Sequence, residues 1–206
     1  MFTNKLSRRE MLAMTGTLGA AFLLSARNVM AAGEAVSKVT LTTDEKNDLA
    51  FMREEEKLAR DVYLTLHDIW GTTVFANIAT SEQQHMDAIL SLLITYKLPD
   101  PTVGKMVGEF VNVELQALYN TLIERGKRSA LDALLVGGII EETDIVDLNA
   151  AIATARPSNI DKVYTNLLNG SYNHLRAFAS NIQALTGQPY QAQVVSQDIV
   201  DSILNS

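Results

Sequence analysis

The chain has no cysteine among its 206 residues, which excludes disulfides and thiolate metal sites. Proline is scarce at 4 residues. All of them fall at expected element boundaries: Pro99, Pro101, Pro157 and Pro189. No run of alternating apolar and polar residues argues for a sheet. No basic patch stands out, and a net charge of −7 speaks against a nucleic-acid role. Hydrophobic residues make up 47%, enough for one helix-rich domain with a real core.

What is present begins with a targeting signal. Ser7-Arg8-Arg9-Glu10-Met11-Leu12 resembles a twin-arginine motif, with Met11 where Phe is usual. The apolar stretch Leu12 to Leu24 is short for a membrane-spanning helix, and small residues follow at Ala31, Ala32 and Gly33. The expectation is a cleaved signal over 1–32, a linker over 33–41 and a helical domain over 42–206. It implies export to the periplasm or beyond, with no stable membrane anchor after cleavage.

Thr42 with Glu45 forms a capping box, opening a long helix that Gly71 stops. Its apolar stripe is Met52, Ala59, Val62, Tyr63, Leu66 and Ile69. A second helix is expected from Thr72 or Thr73 to about Lys97. A loop over 99–112 follows, then a shorter helix from Val113 to about Arg125. Ser129 caps another long helix, and a last long one runs from Asn159 to Leu185, with a short terminal helix near Ser196. Four long helices with a longer interruption after the second fit an all-α four-helix bundle with one long connection.

The apolar stripes carry polar interruptions. Glu82 and His85, three apart and so on one helix face, lie among Phe75, Ile78, Ile89 and Leu92. His174 shares a face with Val163, Leu167, Phe178 and Leu185. In the triple glutamate 54–56, Glu54 points away from the stripe, while spacing barely separates Glu55 from Glu56. Glu141 and Glu142 both border the core, next to Gly138. Asp144 and Asp147 read as surface groups or supports, and His67 as peripheral. Buried carboxylates without partners cost on the order of several kcal/mol each, so several converging ones ask for a cation. Carboxylate with imidazole suits iron, manganese or zinc. The plain alternative is a buried, hydrogen-bonded Glu–His pair.

Glu56-Lys57-Leu58-Ala59-Arg60-Asp61-Val62-Tyr63 is similar to the first-helix Glu-x-x-Ala-Arg-x-x-Tyr pattern of rubrerythrins, and Glu82-x-x-His85 to their second-helix pair. More closely, residues 42–200 resemble an uncharacterised ferritin-like family of prokaryotes. The stretches that carry this are 54–63, 81–86, 140–148 and 170–178. The resemblance implies a ferritin-like bundle with short extra helices. It favours Glu56 over Glu55 and Glu141 over Glu142. The implied ligand set is Glu56, Glu82, His85, Glu141 and His174, holding one or two ions of iron, or of manganese or zinc. Chemistry on oxygen or peroxide as a small-molecule oxidant follows, with non-catalytic metal storage or a structural helical module as alternatives. Tyr63 would relay an electron or donate a hydrogen bond, and a homodimer is compatible with the chain. One departure stands out: the second Glu-x-x-His of a full di-iron site is here Ser171-x-x-His174.

Overall fold

The computed structural model describes residues 40–206; the expected signal, and the linker before residue 40, lie outside them. Among the described residues there are six helices and no strand. They are α1 (Thr43–Trp70), α2 (Thr73–Thr95), α3 (Val113–Gly126), α4 (Ala130–Thr154), α5 (Ser158–Thr186) and α6 (Gln197–Leu204). None is long and apolar enough to cross a membrane.

The helix ends follow local chemistry. Thr42 accepts from the Glu45 amide while the Glu45 carboxylate accepts from the Thr42 amide, so both orphan donors are met. Gly71 closes α1 in the left-handed region at φ 66, where a side chain is disfavoured. Asn112 and Ser129 cap α3 and α4 through their side-chain oxygens. Helix α2 stops at Thr95, short of the expected Lys97. Lys97 itself turns left-handed, at φ 56, and the Leu98 amide reaches back to Leu93 O.

Each long helix packs on two others: α1 on α2 and α4, and α5 on α2 and α4. The four thus enclose a common core. Leu49, Met52, Val62, Leu66, Phe75, Ile89, Leu93, Ile140, Leu148, Leu167, Leu175 and Phe178 are buried in it. Helix α3 lies against α1 and α4, and α6 against α5. Leu41, read from sequence as linker, is also buried in this core.

Two stripe assignments are corrected. Ile69 and Leu185 are exposed, because each sits in the last turn of its helix, past the facing neighbours. Three polar assignments change as well. Glu54 is buried rather than turned to solvent, since the 99–112 loop folds back over α1 and donates the Val111 and Asn112 amides to it. Asp144 and Asp147 are buried too, because α4 is enclosed on nearly every side.

The same loop is fastened by Lys57 and Asp61. The Lys57 ammonium, itself buried, donates to Asp61 and to Met106 O and sits 4.6 Å from the Phe110 ring centre. Asp61 also accepts from the Gly108 amide and the Arg60 guanidinium. Every charge in this clamp is matched, as burial requires.

Candidate metal centre

Four helices each deliver part of one cluster. Glu56 comes from α1, Glu82 and His85 from α2, Glu141 from α4 and His174 from α5. The structure brings all five sequence-nominated residues together in two groups of three. Glu56, Glu82 and His85 form one, and Glu82, Glu141 and His174 the other, with ligand atoms in each group within 4.8 Å of one another. Glu82 belongs to both. Its Oε2 lies 2.7 Å from His85 Nδ1 and its Oε1 2.9 Å from His174 Nδ1. His85 Nδ1 is 3.2 Å from Glu56 Oε2, and His174 Nδ1 is 3.4 Å from Glu141 Oε2. The two imidazole rings lie 5.4 Å apart, tilted by 30°.

His85 Nδ1 and Glu56 Oε2 are aligned as a hydrogen bond, but the other three short approaches are not. Both Glu82 oxygens, Glu141 Oε2, Glu56 Oε1 and His174 Nδ1 are buried without an aligned donor or acceptor. Groups that share a cation behave this way, because each lone pair aims at the ion rather than at its neighbour. Ligands about 2.1 Å from one ion lie roughly 3.0–3.4 Å apart at octahedral to tetrahedral angles. The spacings fall close to that range, so the donor set fits a pair of divalent ions with Glu82 common to both.

The supporting residues fix ring orientation. His174 Nε2 meets Ser81 Oγ at 2.9 Å, which turns Nδ1 toward the carboxylates. His85 Nε2 faces Gly170, where a Cβ would lie only 2.5 Å away. Tyr63 donates its hydroxyl to Glu141 Oε1 and packs against Phe75 and Phe178. Burial and the Glu141 charge push its hydroxyl well above the usual range, so it stays protonated as a donor. Ser81 and Gly170 open two of the stretches that carry the family resemblance, but the sequence assigned neither a role. A glycine inside a 29-residue helix was the available signal for the second.

The two paired acids separate clearly. Glu56 lies in a group of three and Glu55, though fully buried, in neither. Glu141 faces His174, while Glu142, one residue on, points to the C-terminal segment. Glu142 accepts from the Tyr190 hydroxyl and from the amides of Gln193, Val194 and Val195. Helical geometry places successive residues about 100° apart, and here that step separates two different tasks.

The electrostatics without an ion show what a metal must displace. Burial works against protonated imidazoles, but the facing carboxylates dominate. Glu56 and Glu82 raise His85 to about 11, and Glu141 with Glu82 raises His174 to about 10. Burial raises Glu56 to about 7 against the pull of His85, and raises Glu141 as well. Glu82 is opposed by burial too, yet the two histidines hold it well below its ordinary value.

An uncharacterized protein of Methanocaldococcus jannaschii, MJ0754, is 44% identical over 172 residues, which span 84% of this chain and 92% of that one. The crystal structure of hypothetical protein MJ0754 from the same archaeon aligns with a TM-score of 0.79 at 44% identity, covering 84% of this chain and 98% of that one. Residues 45–206 match the family described as "Uncharacterized protein domain (DUF2202)", and the chain belongs to that family.

Proposed function

We propose that this protein is an exported, ferritin-like metal-binding protein whose carboxylate–histidine centre holds two ions, iron with iron or iron with manganese, and acts on oxygen or peroxide. The observation that carries the reading is the shared carboxylate: Glu82 sits between two groups of three, each with one histidine and one further glutamate. Four long helices around a common core, each contributing a ligand, support the ferritin-like assignment. When bound, such ions supply one-electron chemistry and activate small oxidants.

The chain's own residues do the rest. Glu56, Glu82 and Glu141 supply −3 against +4, and the two imidazoles supply neutral donors once their protons leave. Ser81 and Gly170 hold the rings. Tyr63 stabilises the Glu141 carboxylate through its hydrogen bond and holds a proton next to it. The closed core keeps bulk water from the three carboxylates: Glu56, Glu82 and Glu141 are each at most 1% exposed.

Metal content of the full chain after purification tests this, followed by optical spectra on adding ferrous iron and then peroxide. Glu82→Ala is expected to lose both ions, and Glu56→Ala and Glu141→Ala one each, while Glu55→Ala and Glu142→Ala keep both. Absence of metal uptake, with Glu82→Ala as stable as the parent, would leave a buried hydrogen-bonded network as the explanation. Uptake without spectral change or peroxide consumption would leave a binding protein without turnover.

A further inference from the structure

Exposed apolar side chains are not spread evenly over the molecule. Among the described residues, six of the ten large ones left exposed lie in the 99–112 loop or next to it: Leu64, Val103, Met106, Val107, Val111 and Val113. The other four stand singly, one each on α1, α2, α5 and α6. Single exposed apolar residues need no explanation, whereas a contiguous patch marks a docking surface.

Four buried charged residues of α1 make this patch contiguous. Arg53 pairs with Asp100, and Glu54 accepts from the Val111 and Asn112 amides. Lys57 donates to Met106 O, and Asp61 accepts from the Gly108 amide. The anchors run from residue 53 to residue 61, about 12 Å of helix. The loop backbone is therefore fixed against α1, while its five aliphatic side chains are left between 51% and 79% exposed. Together they offer on the order of 500 Å², near the upper end for the largest patch of a monomer.

The same face has a hollow. A groove of about 520 Å³ between α1 and α2 is lined by Leu64, Ala79 and Val107, and by Arg60 and Gln83, which are hydrogen-bonded to each other. Met106, next to Val107 in the chain, is among the exposed side chains. A face that carries both a projection and a hollow can meet its own copy across a two-fold axis, each filling the other. The charges agree. Within 101–113 the only charges are Lys105 and Glu109, so the stretch is neutral in a chain of −7. Two acidic copies repel each other least through a neutral face, and the lysine of each can face the glutamate of the other. A basic partner or an anionic membrane finds no opposite charge to meet here.

We propose that this face is the interface of a two-fold homodimer, with the 99–112 loop at its core and Met106 of each copy seated in the groove of the other. The proposal stands whether or not the centre holds metal. The patch supplies the apolar core, and a polar rim around it brings the area toward the roughly 800 Å² per partner of a standard interface.

The test is sedimentation analysis of the full chain across the micromolar range. The parent is expected to be dimeric. Met106→Asp and Val103→Asp would bury a charge against the partner and should raise the dimer dissociation constant at least tenfold. Both positions are exposed within one copy, so the helical circular dichroism should not change. Val103→Asp decides the matter if Met106→Asp does not fold. Ile199→Asp, on the exposed side of α6, should dimerise like the parent. A parent that stays monomeric throughout would overturn the proposal, and a monomer that floats with neutral phosphatidylcholine vesicles would give the face to a membrane instead. A dimer that survives both loop aspartates, or that Ile199→Asp weakens as much, would place the interface elsewhere and equally overturn it.

Discussion

Gly170→Ala is the sharpest perturbation of the centre because it leaves every nominated ligand in the sequence and moves one of them, His85. Alanine is favoured over glycine within a helix by about 1 kcal/mol, so the substitution ought to stabilise α5 in isolation. The new Cβ would lie 2.5 Å from His85 Nε2 and 2.6 Å from Cε1. Non-bonded heavy atoms rest about 3.5–4.0 Å apart, so the ring must withdraw by about 1 Å. Metal sites hold their ligands to within about 0.2 Å of ideal distances. Overpacking costs about 1–3 kcal/mol, and subtracting the helix gain leaves about 0–2 kcal/mol of lost stability, which a domain of this size survives. The ion on the His85 side should nonetheless weaken about 10–100-fold, the range seen when a ligand's support is disturbed. The ion between Glu141 and His174 should remain. Calorimetric metal titration with metal analysis reads both, and thermal unfolding of the metal-free protein reads the fold. Gly138→Ala serves as the control, since its Cβ would strike the Tyr190 ring instead. Wild-type affinity for both ions in Gly170→Ala would refute the idea that the His85 ring position sets the first half of the centre.

Three further outcomes are expected. Without metal both histidines carry protons at neutral pH, raised to about 11 and about 10 by their facing carboxylates. Metal must displace these two protons, and below about pH 7 one more from Glu56, so the affinity for both ions together should climb with pH by about two decades per unit or more. Competition titrations between pH 6 and 8 would show a flat profile if the histidines were not ligands. By the same shifts, the stability these groups lend the metal-free fold is complete below about 6.5 and disappears as pH rises through their folded values, near 10 and 11. Chelation should lower the melting temperature without unfolding the chain: each ion at 100 times its Kd contributes about 2.7 kcal/mol, or roughly 5–11 °C for a domain of this length. Collapse of the helical circular dichroism signal on chelation would contradict a preformed site. Glu142→Ala strands three half-buried amides at up to about 1–3 kcal/mol each, and the buried Tyr190 hydroxyl with them. It should cost several kcal/mol and loosen the C-terminal segment to proteolysis, with metal content unchanged.

Helix boundaries were legible because they rest on local chemistry. Thr42 with Glu45, Gly71, Asn112, Ser129 and Gly187 each satisfy or reshape backbone groups within a few residues of themselves. The cluster was legible in part for the same reason: Glu82 and His85 are three apart on a stripe that had to be buried. What stayed hidden depends on chain far away in sequence. Glu54 looks like a solvated residue until the amides of Val111 and Asn112, more than fifty residues later, fold onto it. Ile69 and Leu185 continue a stripe past the end of the surface that would cover them. Ser81 has no pattern of its own, and its role exists only once α5 brings His174 to within 2.9 Å.

Six of the buried acids divide by what holds them, and on the two-ion reading that division bears on the metal. Glu54, Asp61 and Glu142 are buried against amides, hydroxyls or cations that match their oxygens in number and direction. Each fastens a segment: the 99–112 loop for the first two, the chain after Tyr190 for the third. Glu56, Glu82 and Glu141 fasten no loop. Around them stand two imidazoles and one phenol, and several of their oxygens lack an aligned donor although nitrogen lies within 2.7–3.4 Å. A network evolved only for packing would be expected to resemble the first set, because aligned donors recover the cost of burying charge. The second set recovers it by proton transfer from carboxyl to imidazole when no ion is bound, and by the ion itself when one is. On the two-ion reading proposed above, the protein folds with protons in the site and exchanges them for metal afterwards.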